Sequence, residues 1–347
     1  MWLGSKMDFG LSSVRIPAIL LGHTSFLFLH SLMKPYLKDE NENWWLAFVC
    51  ASPLVGLGSL IVTPDLPLQF MWILSLWLLV RCVNKNDLFS YIALGVAMGL
   101  GFCAKYHMVL FAPAAFLWLF VSGEHKKLQW NYVVATIVAG LVFCFPVIYW
   151  NWTHDFASFR FQLNHGLAAE IRNSKWPLQY LGDQVLILFP TVFILAFLQS
   201  RKKDLMLWIC MGWFPLVFFF LTSFRAHGEA NWPAVGHISI LCLAFLYRPV
   251  HKAIKYTLFI WTMVTSLLLS HIAFPWLPIP PNSTKLSEFK KYDPLIEIAR
   301  QEPFTFASSY QMAGALSFHL RRSIFKLGGI NRKDIFDFLP ESFPRQP

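Results

Sequence analysis

The chain has 347 residues, 56% of them hydrophobic and only 14% charged, with a mean hydropathy of +0.49. Soluble domains carry about 25% charged residues, and a globule of this size has no interior large enough for 34 Phe and 15 Trp, so a soluble enzyme is excluded. The net charge of +10 sits in short basic clusters between apolar runs, a membrane-topology pattern and not a stripe for nucleic acid.

In chain order, apolar runs bounded by charge or proline predict ten membrane spans: 14–33, 44–62, 66–83, 88–104, 106–121, 131–149, 184–200, 205–222, 232–247 and 256–277. Each is close to the roughly 20 residues that cross a bilayer as a helix. The fold class expected is therefore an all-α polytopic membrane protein. The first fifteen residues are mixed and polar, without the apolar core of a cleavable signal peptide. Cys50, Cys82, Cys103, Cys144, Cys210 and Cys242 lie in or beside apolar runs without metal-ligand spacing, and are expected to be free thiols.

Alternate loops differ in their bases. Lys34, Lys38, Arg81, Lys85, Lys126, Lys127, Arg201, Lys202, Lys203, Arg248, Lys252 and Lys255 fall on one side, and Lys105, Arg160, Arg172, Lys175 and Arg225 on the other. The positive-inside rule places the richer set in the cytoplasm and both termini outside. The outer face then receives the turn 63–65, the break at 105–107, a long loop 150–183, the segment 223–231 and a tail from about 278. That tail, with ten bases, seven acids and a Gly-Gly turn at 328–329, is expected to form a small α+β appendage.

Four outer stretches carry more polar chemistry than a membrane interface needs. Asp65 lies between prolines in Thr63-Pro64-Asp65-Leu66-Pro67, where a helix must restart; a solvated acidic turn would look the same. Lys105 interrupts an apolar run just before Tyr106 and His107, either snorkelling to head groups or neutralising a lipid phosphate. The stretch from Trp150 combines an aromatic belt with His154, Asp155, Arg160, Gln162 and His165, a plausible sugar surface with a guanidinium suited to phosphate. Arg225, His227, Glu229 and Asn231 crowd ahead of Trp232-Pro233. The triplets at Asn151 and Asn282 fit the N-glycosylation pattern, which arises often by chance. No Walker loop, dinucleotide fingerprint or HExxH occurs, and no cofactor or metal is expected.

Taken in order, Thr63-Pro64-Asp65, Gly99 to Tyr106, Trp150 to Gln162 and Glu229 to Ala234 resemble the motifs of bacterial GT-C glycosyltransferases that use polyprenyl-phosphate sugars. That superfamily includes protein O-mannosyltransferases and aminoarabinose transferases acting on lipid A. The resemblance covers nearly the whole chain, and the stretch from Phe306 to Leu320 looks like the family's outer appendage. It implies a multi-pass protein of the bacterial inner membrane whose domain 14–277 transfers a sugar from a polyprenyl-phosphate donor to an envelope glycolipid, polymer or protein. The remnant of an outer loop would occupy 1–13, and the appendage 278–347 would lie on the extracytoplasmic side.

By the same resemblance Asp65 matches the family's second acidic position and is the candidate catalytic residue of this chain, with Lys105, Tyr106, Arg160 and Arg225 as candidates for the donor phosphate. His107, His154, Gln162, His165, His227, Glu229 and Asn231 contact substrate. The family's first span, and the loop with its principal catalytic carboxylate, have no counterpart here; Asp8 matches a later position. A truncated, inactive form is therefore one expectation. A transporter or lipid flippase, with Asp65 and Lys105 as coupling charges, and a catalytically dead envelope scaffold are the alternatives.

Overall fold

A computed structural model of the chain describes residues 11–167, 173–247, 252–274, 276–278, 292–302, 306–328 and 334–338. Asp8, Arg172, Arg248 and Asn282 lie outside the described residues, as does the side chain of His165. The chain divides into two units, 1–263 and 264–347.

In the first unit, α1 (Leu11–Met33) and α2 (Asp39–Ala51) lead to α3 (Asp65–Lys85) and α4 (Leu88–Ala104). A 3-10 turn, Tyr106–Leu110, enters α5 (Phe111–Val121); then come α6 (Trp130–Thr153), α7 (Ala157–Leu167), α8 (Trp176–Leu188) and α9 (Pro190–Gln199). Helices α10 (Met206–Ser223) and α11 (Ala234–Tyr247) follow, and the division between the units falls within α12 (Lys252–Ala273). Five segments are long and apolar enough to cross a membrane: Arg15–Tyr36, Asp65–Lys85, Trp130–Thr153, Lys203–Ser223 and Lys252–Ala273. The pair α8 and α9 makes a sixth if counted as one bent span, and Leu88–Ala104, Tyr106–Val121 and Ala234–Tyr247 are shorter apolar helices.

Three of the expected stretches fold differently. The run 44–62 is not one helix, because Pro53 pushes Ser52 into extended backbone (ψ 141°) and ends α2. Ser52 then caps backwards on Val49 O (2.6 Å) and accepts from Gly56 N (3.0 Å). A Cβ on Gly56 would stand 2.1 Å from Cys50 O, so this tight return requires glycine. The run 184–200 is bent by 94°. Pro190 begins α9, and Phe189 before it takes φ 68°, a costly conformation for a bulky side chain. The stretch 150–183 is not a loop: it holds the end of α6, all of α7 and the start of α8.

The helices differ sharply in what covers them. Eleven residues of α11, Val235 through Phe245, are buried, so it runs through the interior. Phe245 packs edge-on to Trp45 (ring centroids 5.3 Å), and Trp72 likewise to Phe111 (5.1 Å). Helix α6 is apolar all round, yet its only buried residue is Asn151; Val134, Ile137, Leu141 and Phe145 are each more than half exposed. Such a helix is solvated by lipid. It packs on α4 through glycines: a Cβ on Gly95 would lie 2.2 Å from Thr136 O, and one on Gly99 2.6 Å from Gly140 O. Small residues let two backbones meet where lipid removes any hydrophobic drive between helices.

The turn joining α3 to α4 is tied by side chains. Asn86 ends α3 at φ 54° and accepts from Tyr91 OH (2.9 Å). Asp87 caps α4 by accepting from Ser90 N (3.0 Å) and Ser90 Oγ (2.7 Å), bonds that hold its carboxyl below the usual range.

The second unit contains α13 (Asp293–Gln301), β1 (Phe306–Ala307), α14 (Tyr310–Leu320) and β2 (Phe325–Lys326), with β1 and β2 paired in parallel. A parallel pair needs a crossover, which α14 supplies. Ile296, Ala299, Ala307, Ala313, Leu316 and Ile324 form its core. The Lys326 ammonium is held by Asp334 (2.8 Å) and Asp337 (2.7 Å), which raise its pKa above the ordinary 10.5.

Two predictions follow from this packing. Gly95→Ala and Gly99→Ala should each cost about 1–3 kcal/mol, because backbone must move to admit the methyl. The measurement is thermal unfolding in detergent, with Gly182→Ala, which meets nothing within 4 Å, as a control expected to be neutral or stabilising. For Lys326 the raised folded-state pKa means its contribution is fully present below pH 10.5 and is lost as pH rises through the folded value. Proteolysis at residues 306–338 should therefore accelerate at alkaline pH in the native chain, and lose that pH dependence in Lys326→Met.

Candidate functional site

The four polar stretches meet around one break in the chain. Lys105 ends α4 with extended backbone (φ −160°, ψ 136°), and the 3-10 turn begins at once. Three consecutive side chains thereby leave in three directions, each to a different stretch.

Lys105 reaches the proline-bounded aspartate. Its Nζ lies 2.5 Å from Asp65 Oδ1, and Asn231 Nδ2 donates to Asp65 Oδ2 at 3.0 Å. Asp65 is the first residue of α3, where helix N-terminal N–H groups favour a negative charge. The side chains of Asp65 and Lys105 are 30% and 20% exposed, so the pair is sheltered but open on one side. A carboxylate has about four acceptor positions, and two partners leave room for an incoming hydroxyl.

Tyr106 goes to the Trp150 stretch. Its hydroxyl is 2.6 Å from Ser158 Oγ and accepts from Asn151 Nδ2 at 3.4 Å. Asn151 is fully buried at the end of α6. Its Oδ1 accepts from Ser158 Oγ (2.9 Å) and Phe159 N (3.2 Å), and its Nδ2 also donates to Val147 O (2.9 Å). Asp155 and Phe156, both at positive φ (51° and 55°), make the elbow that this asparagine braces. An N–H-rich turn with two left-handed residues is strained, and complete use of one amide's donors and acceptors offsets that cost.

His107 goes to the stretch that ends at Trp232. Its ring packs on Phe219 (5.1 Å) and Trp232 (5.9 Å), and its Nδ1 is buried without a hydrogen-bond partner among the described residues.

The other expected site residues stand apart from this junction. His154 Nδ1 donates to Trp150 O (2.8 Å) and the ring stacks on that of Trp150 (4.3 Å), closing the end of α6. Arg160 and Gln162 are exposed on α7, whose backbone also carries His165. Arg225 and Glu229 are exposed before α11, and His227 meets Trp176 edge-on (6.1 Å). Among the described residues, none of these side chains bonds to Asp65 or Lys105.

Sequence reasoning overlooked Asn151, Ser158, Gln184 and His237. Asn151 and Ser158 lay inside a motif already singled out, but their types read as glycan acceptor or loop polarity. Gln184 and His237 sit in apolar runs, where a polar residue that must find a partner when buried was the available signal.

Known proteins resemble this chain in sequence and in fold. The family described as dolichyl-phosphate-mannose-protein mannosyltransferase matches residues 1–150, a stretch that contains Asp65, Lys105 and Tyr106. The lipid A galacturonosyltransferase RgtD of Rhizobium johnstonii is 23% identical over 300 residues, covering 83% of this chain and 62% of its own length. The lipopolysaccharide core galacturonosyltransferase RgtA of the same organism is 27% identical over 150 residues, 42% of this chain and 30% of its own. The chain thus spans less than two thirds of these curated relatives. In fold it is similar to ArnT from Cupriavidus metallidurans bound to undecaprenyl phosphate, with a TM-score of 0.65 at 13% identity over 94% of this chain and 75% of that one. The apo form of ArnT gives 0.63 over 94% and 74%. Motif order, relatives and fold agree in making the chain similar to the GT-C glycosyltransferases that use polyprenyl-phosphate sugars.

Proposed function

We propose that the protein transfers a sugar from a polyprenyl phosphate to a glycolipid of the bacterial envelope, on the extracytoplasmic face of the inner membrane. The observation that carries this reading is the junction of Asp65, Lys105 and Asn231, three residues from separate stretches that meet at one end of the helices. Relatives named as acting on lipid A and on lipopolysaccharide core support a glycolipid acceptor, and the ArnT complex supports a polyprenyl-phosphate donor. The side of the membrane follows from charge. Arg81 and Lys85 end α3 while Asp65 begins it, and 21 residues of helix span about 30 Å, a bilayer's apolar thickness. Basic loops stay in the cytoplasm, so Asp65 faces out.

In this reading the acceptor hydroxyl attacks the sugar's anomeric carbon as the bond from that carbon to the phosphate oxygen breaks. The Asp65 carboxylate takes the hydroxyl proton. Lys105, with three donors and an open side, stabilises the charge gathering on the departing lipid phosphate. Asn231 keeps the carboxylate oriented. Tyr106 acts through the α6–α7 elbow, its hydroxyl being engaged by Ser158 and Asn151, and exposed Arg160 and Arg225 are the further phosphate ligands. His107 and Trp232 supply an aromatic wall for the sugar, and His154, Gln162, His165, His227 and Glu229 line the approach. The charge rule assigns the tail from 278 to the extracytoplasmic side.

The test is transfer from radiolabelled polyprenyl-phosphate sugars to lipid A in membranes carrying the protein, as this chain and in a form extended upstream. Asp65→Asn should lower the rate about 100-fold or more, the usual range for a lost general base. Lys105→Ala should lower it about 10- to 100-fold through lost phosphate stabilisation. Full activity in both variants overturns the assignment. Transfer by the extended form alone, unaffected by Asp65→Asn, moves the base to residues ahead of Met1.

A further inference from the structure

Asn231 owes its place to a turn, and turns do not hold a side chain to hydrogen-bond precision by themselves. Behind this turn lie two buried polar residues. Gln184 on α8 and His237 on α11 are each 1% exposed. Gln184 Nε2 donates to Ala230 O at 3.0 Å, and Gln184 Oε1 is 2.7 Å from His237 Nε2. The first bond settles the second. Only the amide NH2 can donate to a carbonyl, so Oε1 faces the histidine, and His237 must carry its proton on Nε2 to donate.

Burying an amide and an imidazole costs free energy that a hydrogen bond only just offsets, and an apolar pair would pack there at least as well. What the pair does is fix one carbonyl, that of the residue immediately before Asn231. The turn's own bonds, Trp232 N to Glu229 O (3.0 Å) and Ala234 N to Asn231 O (3.1 Å), then carry that anchor to Asn231 and the start of α11. His237 stands on closely packed backbone: its neighbour Gly236 lies against α10 so closely that a Cβ would stand 2.6 Å from Gly212 O. We propose that Gln184 and His237 are positioning residues, which hold the Ala230 carbonyl and through it keep Asn231 on Asp65. This rests on the catalytic reading of Asp65 above.

A double-mutant cycle tests it, with Gln184→Met, Asn231→Ala and their combination assayed for sugar transfer. If Gln184 acts through Asn231, Gln184→Met lowers kcat several-fold with little change in KM, and adds less than a further two-fold in the Asn231→Ala background. A general packing role gives losses that multiply, which overturns the proposal. His237→Leu, which frees the amide to rotate, should show the same loss and the same disappearance in the Asn231→Ala background. Tyr180→Phe is the control: it removes a bond of the same helix, Tyr180 OH to Leu216 O (2.8 Å), and should leave transfer unchanged. Hydrogen exchange gives a readout independent of activity. Gln184→Met should speed exchange of the 229–236 amides and Tyr180→Phe should not; equal protection in both overturns the proposal. Transfer untouched by Asp65→Asn, with exchange altered as expected, overturns the catalytic reading and leaves the anchor standing.

Discussion

An ammonium and a carboxylate meeting at the edge of a bilayer organise this protein. Neither Lys105 nor Asp65 is tolerable alone at that depth, since an unpaired charge beside lipid is costly. Paired at 2.5 Å, with Asn231 on the other oxygen, they become a fixed polar centre. The pairing also fixes topology: it ties the start of α3 to the end of α4, two helices joined at their far ends by the Asn86–Asp87 turn. The hairpin is thus pinned at both ends, and its polar end is available for chemistry.

The surrounding structure brings weak local elements to that centre. Extended backbone at Lys105 breaks α4 from the turn that follows, and the break lets Lys105, Tyr106 and His107 each engage a separate stretch. The α6–α7 elbow turns the chain back beneath an aromatic interface, at the cost of two left-handed residues, with Asn151 spending its whole hydrogen-bonding capacity on it. Helix α6 can serve as a lipid-facing wall because Gly95, Gly99 and Gly140 bring it against α4 without bulky side chains. Rigidity near the site comes from polar bonds and close backbones; the lipid side carries none of that burden.

Much of this was legible in residue order. The membrane class follows from composition, and the division of the fourth and fifth apolar runs at Lys105 is where the helix does break. Length and hydropathy did not reveal the breaks inside other runs. Pro53 and Pro190 were visible, but the geometry they impose depends on the preceding residue: Ser52 becomes extended and Phe189 left-handed. The stretch 150–183 read as a loop because its polar and aromatic residues suit an interface, whereas helices lying at an interface use the same residues.

By itself the sequence determined that the chain is built for a bilayer and that its bases gather in alternate loops. These follow from transfer energies and residue type, which are local. Only the tertiary structure decided who pairs with whom. Asp65 meets residues 40 and 166 positions away, and Tyr106 meets one 52 positions away. It also decided that Asn151 is a brace and that Gln184 and His237 are bonded within the interior. A hydrogen bond depends on direction and distance to within a fraction of an ångström, and those are properties of packed helices that no stretch of sequence carries alone.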